Sequence, residues 1–174
     1  MKLFKEKKEE KQEVVQNQED IIVVPEKLKA YNFDILSSFL NTLISMADSE
    51  DYNYFTSQVA KNFYEQNKVY LENLNKIGNE NIELIWENLN IFFNLNNLGV
   101  SQVKINLENK SINIFHYDSL FVRYLKSKTN FKLCNFYANL YSLILSNIFE
   151  TDIKIIEEEC GNETGKDFCL FTMA

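Results

Sequence analysis

The sequence is poor in the residues that interrupt regular structure. Its 174 residues include only four glycines and one proline, and these two residue types are the strongest breakers of helices and strands. We therefore expect long regular elements. Histidine is also scarce, since His116 is the only one. No motif connects it to a cysteine, so there is little support for a catalytic thiol.

The signatures of three other protein classes are missing as well. The formal net charge is -7, and no dense basic stripe follows residues 1–11, which argues against a nucleic-acid partner. No apolar run approaches the ~20 residues of a membrane span. The N-terminus, MKLFKEKKEEKQE, lacks the apolar centre of a secretory signal. We therefore expect a cytoplasmic protein with no membrane span.

The chain does contain enough apolar material for one core, because 45% of its residues are hydrophobic and 14% are aromatic. Residues 1–20 are mostly Lys, Glu and Gln, and this composition predicts a disordered charged tail. Residues 21–34 begin with IIVVP, which indicates an extended lead-in segment. We expect residues 35–174 to form a single domain.

Hydrophobic spacing separates a helical first half of this domain from a mixed second half. Apolar residues recur with helical period over 36–47, 55–70 and 80–97, which predicts three helices. From 103 to 114 apolar and polar residues alternate around the turn ENKS, which predicts a β-hairpin.

The second half continues with a strongly apolar helix predicted over 131–149. It is followed by the strand DIKII, the turn GNETGKD and the strand FCLFTM. The predicted order is α-α-α-β-β-α-β-β. This order favours an α+β fold, in which the N-terminal helices pack on a small antiparallel sheet.

The three cysteines are far apart in sequence but are expected to meet in space. Cys134 opens the last long helix, Cys160 ends the next strand and Cys169 lies in the final strand. The helix carries the chain about 25 Å away at ~1.5 Å per residue, and the strand can return about 30 Å at ~3.3 Å per residue. This spacing fits a metal site completed by a neighbouring glutamate. It also fits three small buried thiols, whereas a disulfide is unusual in the cytoplasm.

Residues 134–174 also resemble the C-terminal part of the 4-vinyl reductase domain. The features shared with that domain are a helix, the strand end EEEC at 157–160, a turn with Gly165 and the strand motif CLF at 169–171. The domain is grouped with subunits of the vesicle-trafficking (TRAPP) complex and with sensory domains of phenol-responsive activators. The helices and the hairpin upstream extend the resemblance to 35–174. The resemblance implies a structural zinc ion, held by Cys134, Glu157, Cys160 and Cys169.

The resemblance implies two alternative functions. The domain binds a small hydrophobic or aromatic ligand and signals through a protein partner, or it is a scaffold subunit of an assembly and binds no ligand. If a ligand pocket exists, we expect Trp86, His116 and Tyr137 to orient the ligand with their polar tips. A homodimer through the N-terminal helices is expected. We do not expect an enzyme, because no nucleophile–base pair or phosphate-binding loop is visible.

Overall fold

The computed structural model describes residues 38–39, 41–78, 81–106, 111–124 and 132–174, without the side chains of Ile77, Tyr124 and Asn162. The predicted tail and lead-in segment lie outside these residues. Their boundaries, and the start of the domain at residue 35, therefore stay predictions.

The first half of the described chain is helical, as predicted. Helical residues 41–46 precede α1 (Ser49–Gln66), α2 (Lys68–Leu71), α3 (Leu74–Ile77) and α4 (Ile82–Leu95). Polar side chains cap the two longest of these helices. Asp48 accepts hydrogen bonds from two backbone N–H groups at the start of α1, and Asn81 does the same for α4. Such caps satisfy N–H groups that have no partner within the helix.

The second half contains the sheet. Its elements are β1 (Val100–Asn106), β2 (Ser111–Tyr117), α5 (Leu120–Tyr124), α6 (Asn135–Ile148), β3 (Ile155–Glu159), α7 (Gly161–Thr164) and β4 (Phe168–Met173). The strands form one antiparallel sheet in the order β1-β2-β4-β3. The α+β class and the predicted order of the main elements are confirmed. The short helices α2, α3, α5 and α7 were not predicted as separate elements.

The core lies between the sheet and the longer helices. Helix α1 packs against α6, α6 packs against β3, and α4 packs against β1. The ring of Tyr141 on α6 lies 5.7 Å from that of Phe93 on α4 and 5.6 Å from that of Phe171 on β4. Apolar side chains of the inner sheet face are thereby removed from water.

The start of β3 differs from the prediction. The strand DIKII was expected from residue 152, but β3 begins at Ile155. Two serines of α6 explain the shift: Ser146 Oγ accepts the N–H of Ile153 at 2.9 Å, and Ser142 Oγ accepts that of Ile155 at 2.8 Å. The chain is therefore tied to the helix before it joins the sheet.

Candidate metal centre

Four side chains from separate elements meet inside the core. They are buried, and their potential ligand atoms all lie within 4.8 Å of one another; they belong to Cys134, Glu157, Cys160 and Cys169. The sulfurs of Cys134 and Cys169 are 3.4 Å apart, and none of the three cysteines forms a disulfide bond. The predicted meeting of the sulfurs is confirmed. That the four side chains hold a metal ion stays a prediction.

Each cysteine lies at the end of a helix or strand or within a strand. Cys134 immediately precedes α6, and its carbonyl accepts the N–H of Tyr137 at 2.8 Å. Cys160 follows β3, and its carbonyl accepts the N–H of Thr164 in α7 at 3.0 Å. Cys169 lies on β4, opposite His116 of β2. These backbone interactions place the three cysteines at the start of α6, at the end of β3 and within β4.

Glu157 is the unsatisfied member of the cluster. Its Oε2 accepts the backbone N–H of Cys134 at 2.9 Å, whereas Oε1 is buried without a hydrogen-bond partner among the described residues. Burial, followed by the negative charge of Cys160, raises the pKa of Glu157 to about 9. Burial also raises the pKa of Cys134. A cation beside these groups would reverse both effects, so the donor set fits a metal ion.

Cys169 behaves differently from its neighbours. Hydrogen bonds from Cys134 and then from Cys160 lower its pKa to about 4. The backbone N–H of Gly161 also donates to its sulfur at 3.3 Å. These hydrogen bonds favour the thiolate form of Cys169, and thiolate is the ligand that zinc prefers in structural sites.

Three residues that the sequence did not point to surround the cluster. The hydroxyl of Tyr52 on α1 donates to the carbonyl of Leu133 at 2.7 Å. Ser119 Oγ lies 3.3 Å from Cys134 Sγ. A Cβ on Gly161 would meet the carbonyl oxygens of Lys166 and Phe168 at 2.8 Å. Of these three residues, only Gly161 could have been predicted from the sequence, because it directly follows Cys160.

The three residues predicted to orient a ligand lie in one buried aromatic cluster. The ring of His116 is 4.1 Å from that of Tyr137. Trp86 stacks on Tyr141 at 5.9 Å, and Tyr141 contacts His116 at 6.0 Å. Tyr141 thus connects Trp86 to the other two residues, although its place in a regular helix gave no sign of this role.

The polar atoms of this aromatic cluster have partners within the protein. The carbonyl of Leu98 can only accept a hydrogen bond, so Nε2 of His116 donates to it at 2.8 Å. Nδ1 of His116 then accepts a hydrogen bond from the Tyr141 hydroxyl at 2.6 Å. The Tyr137 hydroxyl also donates to Leu98, at 2.8 Å, and the Trp86 indole N–H donates to the carbonyl of Ser101 at 3.1 Å. Burial lowers the pKa of His116 to about 4, so the ring is neutral near pH 7.

A surface cavity of about 210 Å³ lies beside both clusters. Its lining includes His116, Ser119 and Cys169, with Asp118 and Arg123 among the charged residues. Arg123 Nε lies 2.7 Å from Asp118 Oδ1. The cavity is therefore an approach from solvent toward the sulfurs and the aromatic cluster.

Comparison with known proteins identifies the fold. No protein-family model matches the chain, and no curated protein matches its sequence. The phenol-responsive sensory domain of the transcription activator PoxR, solved with phenol, matches with a TM-score of 0.60 at 12% identity, over 81% of this chain and 73% of that one. A trafficking protein particle complex subunit 3 from Naegleria fowleri, covalently bound to palmitic acid, matches with a TM-score of 0.55 at 11% identity, over 83% and 95%. The chain has the fold of this sensory domain and this trafficking subunit.

The predicted resemblance is confirmed at the level of this fold. A vinyl-4-reductase family protein from Methanocaldococcus jannaschii is less similar in structure, with a TM-score of 0.42 at 20% identity over 88% of this chain and 98% of that one. The first two neighbours are a sensory domain and a trafficking subunit. None of the described helices combines the length and apolar character needed to cross a membrane.

Proposed function

We propose that this chain is a non-catalytic domain stabilised by zinc, which binds a small hydrophobic or aromatic ligand and signals through a protein partner. The observation that carries the zinc assignment is the buried group of three sulfurs and one carboxylate within 4.8 Å. Cys134, Glu157, Cys160 and Cys169 would be the four ligands. A site closed by four protein ligands has no open position for a reacting water, so its role is structural.

The surroundings of the site support a cation. Without one, three cysteine side chains and a carboxyl group are confined away from water, and Oε1 of Glu157 has no hydrogen-bond partner among the described residues. Three thiolates and one carboxylate around Zn²⁺ would leave a net negative charge. Lys132, whose Nζ donates to the carbonyl of Glu158 at 2.6 Å, would offset part of it. Bound metal would join α6, β3 and β4 into one unit.

The aromatic cluster of Trp86, His116, Tyr137 and Tyr141 is the proposed ligand site. It is buried, it combines ring surfaces with polar tips, and it lies behind the cavity lined by His116 and Ser119. Two proteins of this fold were solved with phenol and with palmitic acid. Since the polar tips already have partners, a ligand would enter by displacing side chains of the cluster. That movement would be the signal passed to a partner.

The first experiment is metal analysis of the protein purified without added metal. We expect one zinc per chain in the wild type and little in Cys160→Ser. Absence of zinc from the wild type would contradict the metal assignment. If the free metal is about a thousand times Kd, binding stabilises the fold by about 4 kcal/mol. At ~2–4 °C per kcal/mol, chelation should lower Tm by roughly 10 °C.

The ligand assignment is tested separately by thermal shift with phenols and small hydrocarbons. We expect a rise in Tm for the wild type and a smaller rise for Tyr137→Phe, because the hydroxyl that orients the ligand is lost. Tyr117→Phe, on the other face of the sheet, is the matched control and should respond like the wild type. No shift with any compound would leave the scaffold alternative.

The scaffold alternative is favoured by exposed apolar side chains on the N-terminal helices. Phe39 is 54% exposed, Met46 81% and Tyr54 69%, and such side chains are typical of an interface. In this alternative the chain forms a homodimer or joins a larger assembly and binds no ligand. Light scattering at low concentration tests the homodimer, and a strict monomer would contradict it.

A further inference from the structure

The face of the sheet turned away from α4 and α6 is unusually apolar. We call this surface the outer face, and its apolar residues are Val100, Phe115, Tyr117, Ile156, Phe168 and Leu170. On β2 and β4 these residues alternate with the buried His116, Cys169 and Phe171. The ring of Phe168 lies 5.4 Å from that of Phe115 and 5.9 Å from that of Tyr117. On the edge strands, Val100 is 42% and Ile156 38% exposed.

This pattern is typical of a sheet that is covered on both sides. An antiparallel sheet with one face in water normally alternates apolar and polar residues. Here the sequences IFHY of β2 and FCLF of β4 place large apolar residues on both faces. The rings of Phe115, Tyr117 and Phe168 contact one another, and Lys104 and Lys166 lie 5.0 and 5.3 Å from Phe115 and Phe168. None of these rings has a ring contact with a helix in the described part of the chain.

Charge distinguishes the outer face from the other exposed apolar surfaces. Phe39 and Met46 lie near the exposed Asp48, Glu50 and Asp51, and the exposed Leu84, Ile91 and Leu95 share α4 with Glu83 and Glu87. The outer face instead has the exposed lysines Lys104 and Lys154 at one end. At the other end Lys166 pairs with Glu159, and the exposed Glu158 lies on the same strand.

One segment outside the described residues is complementary to an apolar surface with lysines beside it. Residues 19–26 read EDIIVVPE, four β-branched apolar residues flanked by acids. Residues 27–37 connect it to the first described residue and can span about 36 Å at ~3.3 Å per residue. A domain of residues 35–174 has an expected radius of gyration of about 14 Å, so this linker is long compared with the domain.

We propose that residues 19–26 dock on the outer face of their own chain. Ile21, Ile22, Val23 and Val24 cover Phe115, Phe168 and Leu170, while Glu19, Asp20 and Glu26 lie beside the lysines. This docking is independent of the metal and ligand assignments.

Hydroxyl-radical footprinting of the full chain tests the docking. The test variant replaces the apolar residues of the segment: Ile21→Ser, Ile22→Ser, Val23→Ser and Val24→Ser. We expect oxidation of Phe115, Tyr117 and Phe168 to rise several-fold in this variant. Tyr54, which is 69% exposed on α1, is the internal control and should be oxidised equally in both proteins. Equal oxidation of the three outer-face rings would overturn the proposal.

A charge exchange tests the orientation of the segment. Lys104→Glu with Lys154→Glu should expose the same rings, because both glutamates then repel the acids. Adding Glu19→Lys and Asp20→Lys should restore protection, and failure of this rescue would overturn the charge pairing. Wild-type protection must also be independent of protein concentration. Protection that appears only at high concentration would mean that a second copy covers the face, and would overturn docking within one chain.

Discussion

The backbone N–H of Cys134 donates a 2.9 Å hydrogen bond to Oε2 of Glu157 and so connects the start of α6 to β3 within the sulfur cluster. The second oxygen of Glu157 is buried and has no hydrogen-bond partner among the described residues. Oε2 of Glu157 therefore supports the fold, and Oε1 is the oxygen that a metal ion would bind.

Glu157→Gln separates these two roles. The amide oxygen of Gln can still accept the N–H of Cys134, but an amide is a much poorer zinc ligand than a carboxylate. We expect zinc affinity to fall at least about tenfold, the loss typical even of residues that only support metal ligands. The stability of the metal-free protein should change little. Competition with a chromophoric chelator measures the affinity. Glu158→Gln, at the exposed neighbour, should bind zinc like the wild type.

Gly161→Ala tests the close packing beside Cys169. The new Cβ would meet two carbonyl oxygens at 2.8 Å, which should cost about 3 kcal/mol of unfolding free energy by overpacking. It should also weaken zinc binding, because the N–H of Gly161 would move from the sulfur of Cys169. Urea unfolding and zinc titration measure the two effects.

Gly165→Ala is the matched control for that substitution. Gly165 has φ of 72°, and a Cβ added there would meet no atom within 4 Å. Only the left-handed backbone opposes alanine, at about 1 kcal/mol, so zinc affinity should be unchanged. Equal effects of the two alanines on zinc binding would contradict a specific role for Gly161.

Tyr52→Phe tests the support that α1 gives to the metal centre. The substitution leaves the buried carbonyl of Leu133 without the 2.7 Å hydrogen bond from Tyr52. We expect a loss of about 1–2 kcal/mol in unfolding free energy. Tyr54→Phe, at an exposed position of the same helix, should cost almost nothing. Thermal or urea unfolding of both variants, with and without zinc, measures the difference.

His116 makes stability dependent on pH. Burial lowers its pKa from the ordinary value of 6.5 to about 4, so below pH 6.5 the unfolded chain binds a proton that the folded chain resists. The contribution of the neutral His116 ring to the free energy of unfolding is therefore complete above pH 6.5. It is lost as the pH falls toward 4. Between pH 7 and pH 5 this loss is about 2 kcal/mol.

The measurement is urea unfolding of metal-free protein at both pH values, which removes acid release of metal from the comparison. His116→Gln keeps hydrogen-bonding atoms but does not titrate. Its stability should therefore fall by about 2 kcal/mol less than that of the wild type over the same interval. Parallel pH profiles for the two proteins would show that His116 does not cause the dependence.

The sequence alone determined the types and order of the main elements, because helical and strand periodicity are local properties. It also determined that the three cysteines meet, since the lengths of α6 and the following strand nearly match. The family resemblance added Glu157, and the structure shows why this residue differs from its neighbours. Glu157 pairs with Phe171 of β4, so its side chain points into the core. The pairing of β3 with β4 then shifts register between Glu157 and Glu159.

Only the tertiary structure decided what surrounds these residues. Ser142 and Ser146 delay the start of β3, and Tyr52 and Tyr141 join clusters formed mainly by distant parts of the chain. Such contacts depend on which helices and strands pack together, and hydrophobic periodicity does not identify the partners of an element. Whether an apolar residue faces the core or the outer side of the sheet likewise depends on which face the helices cover.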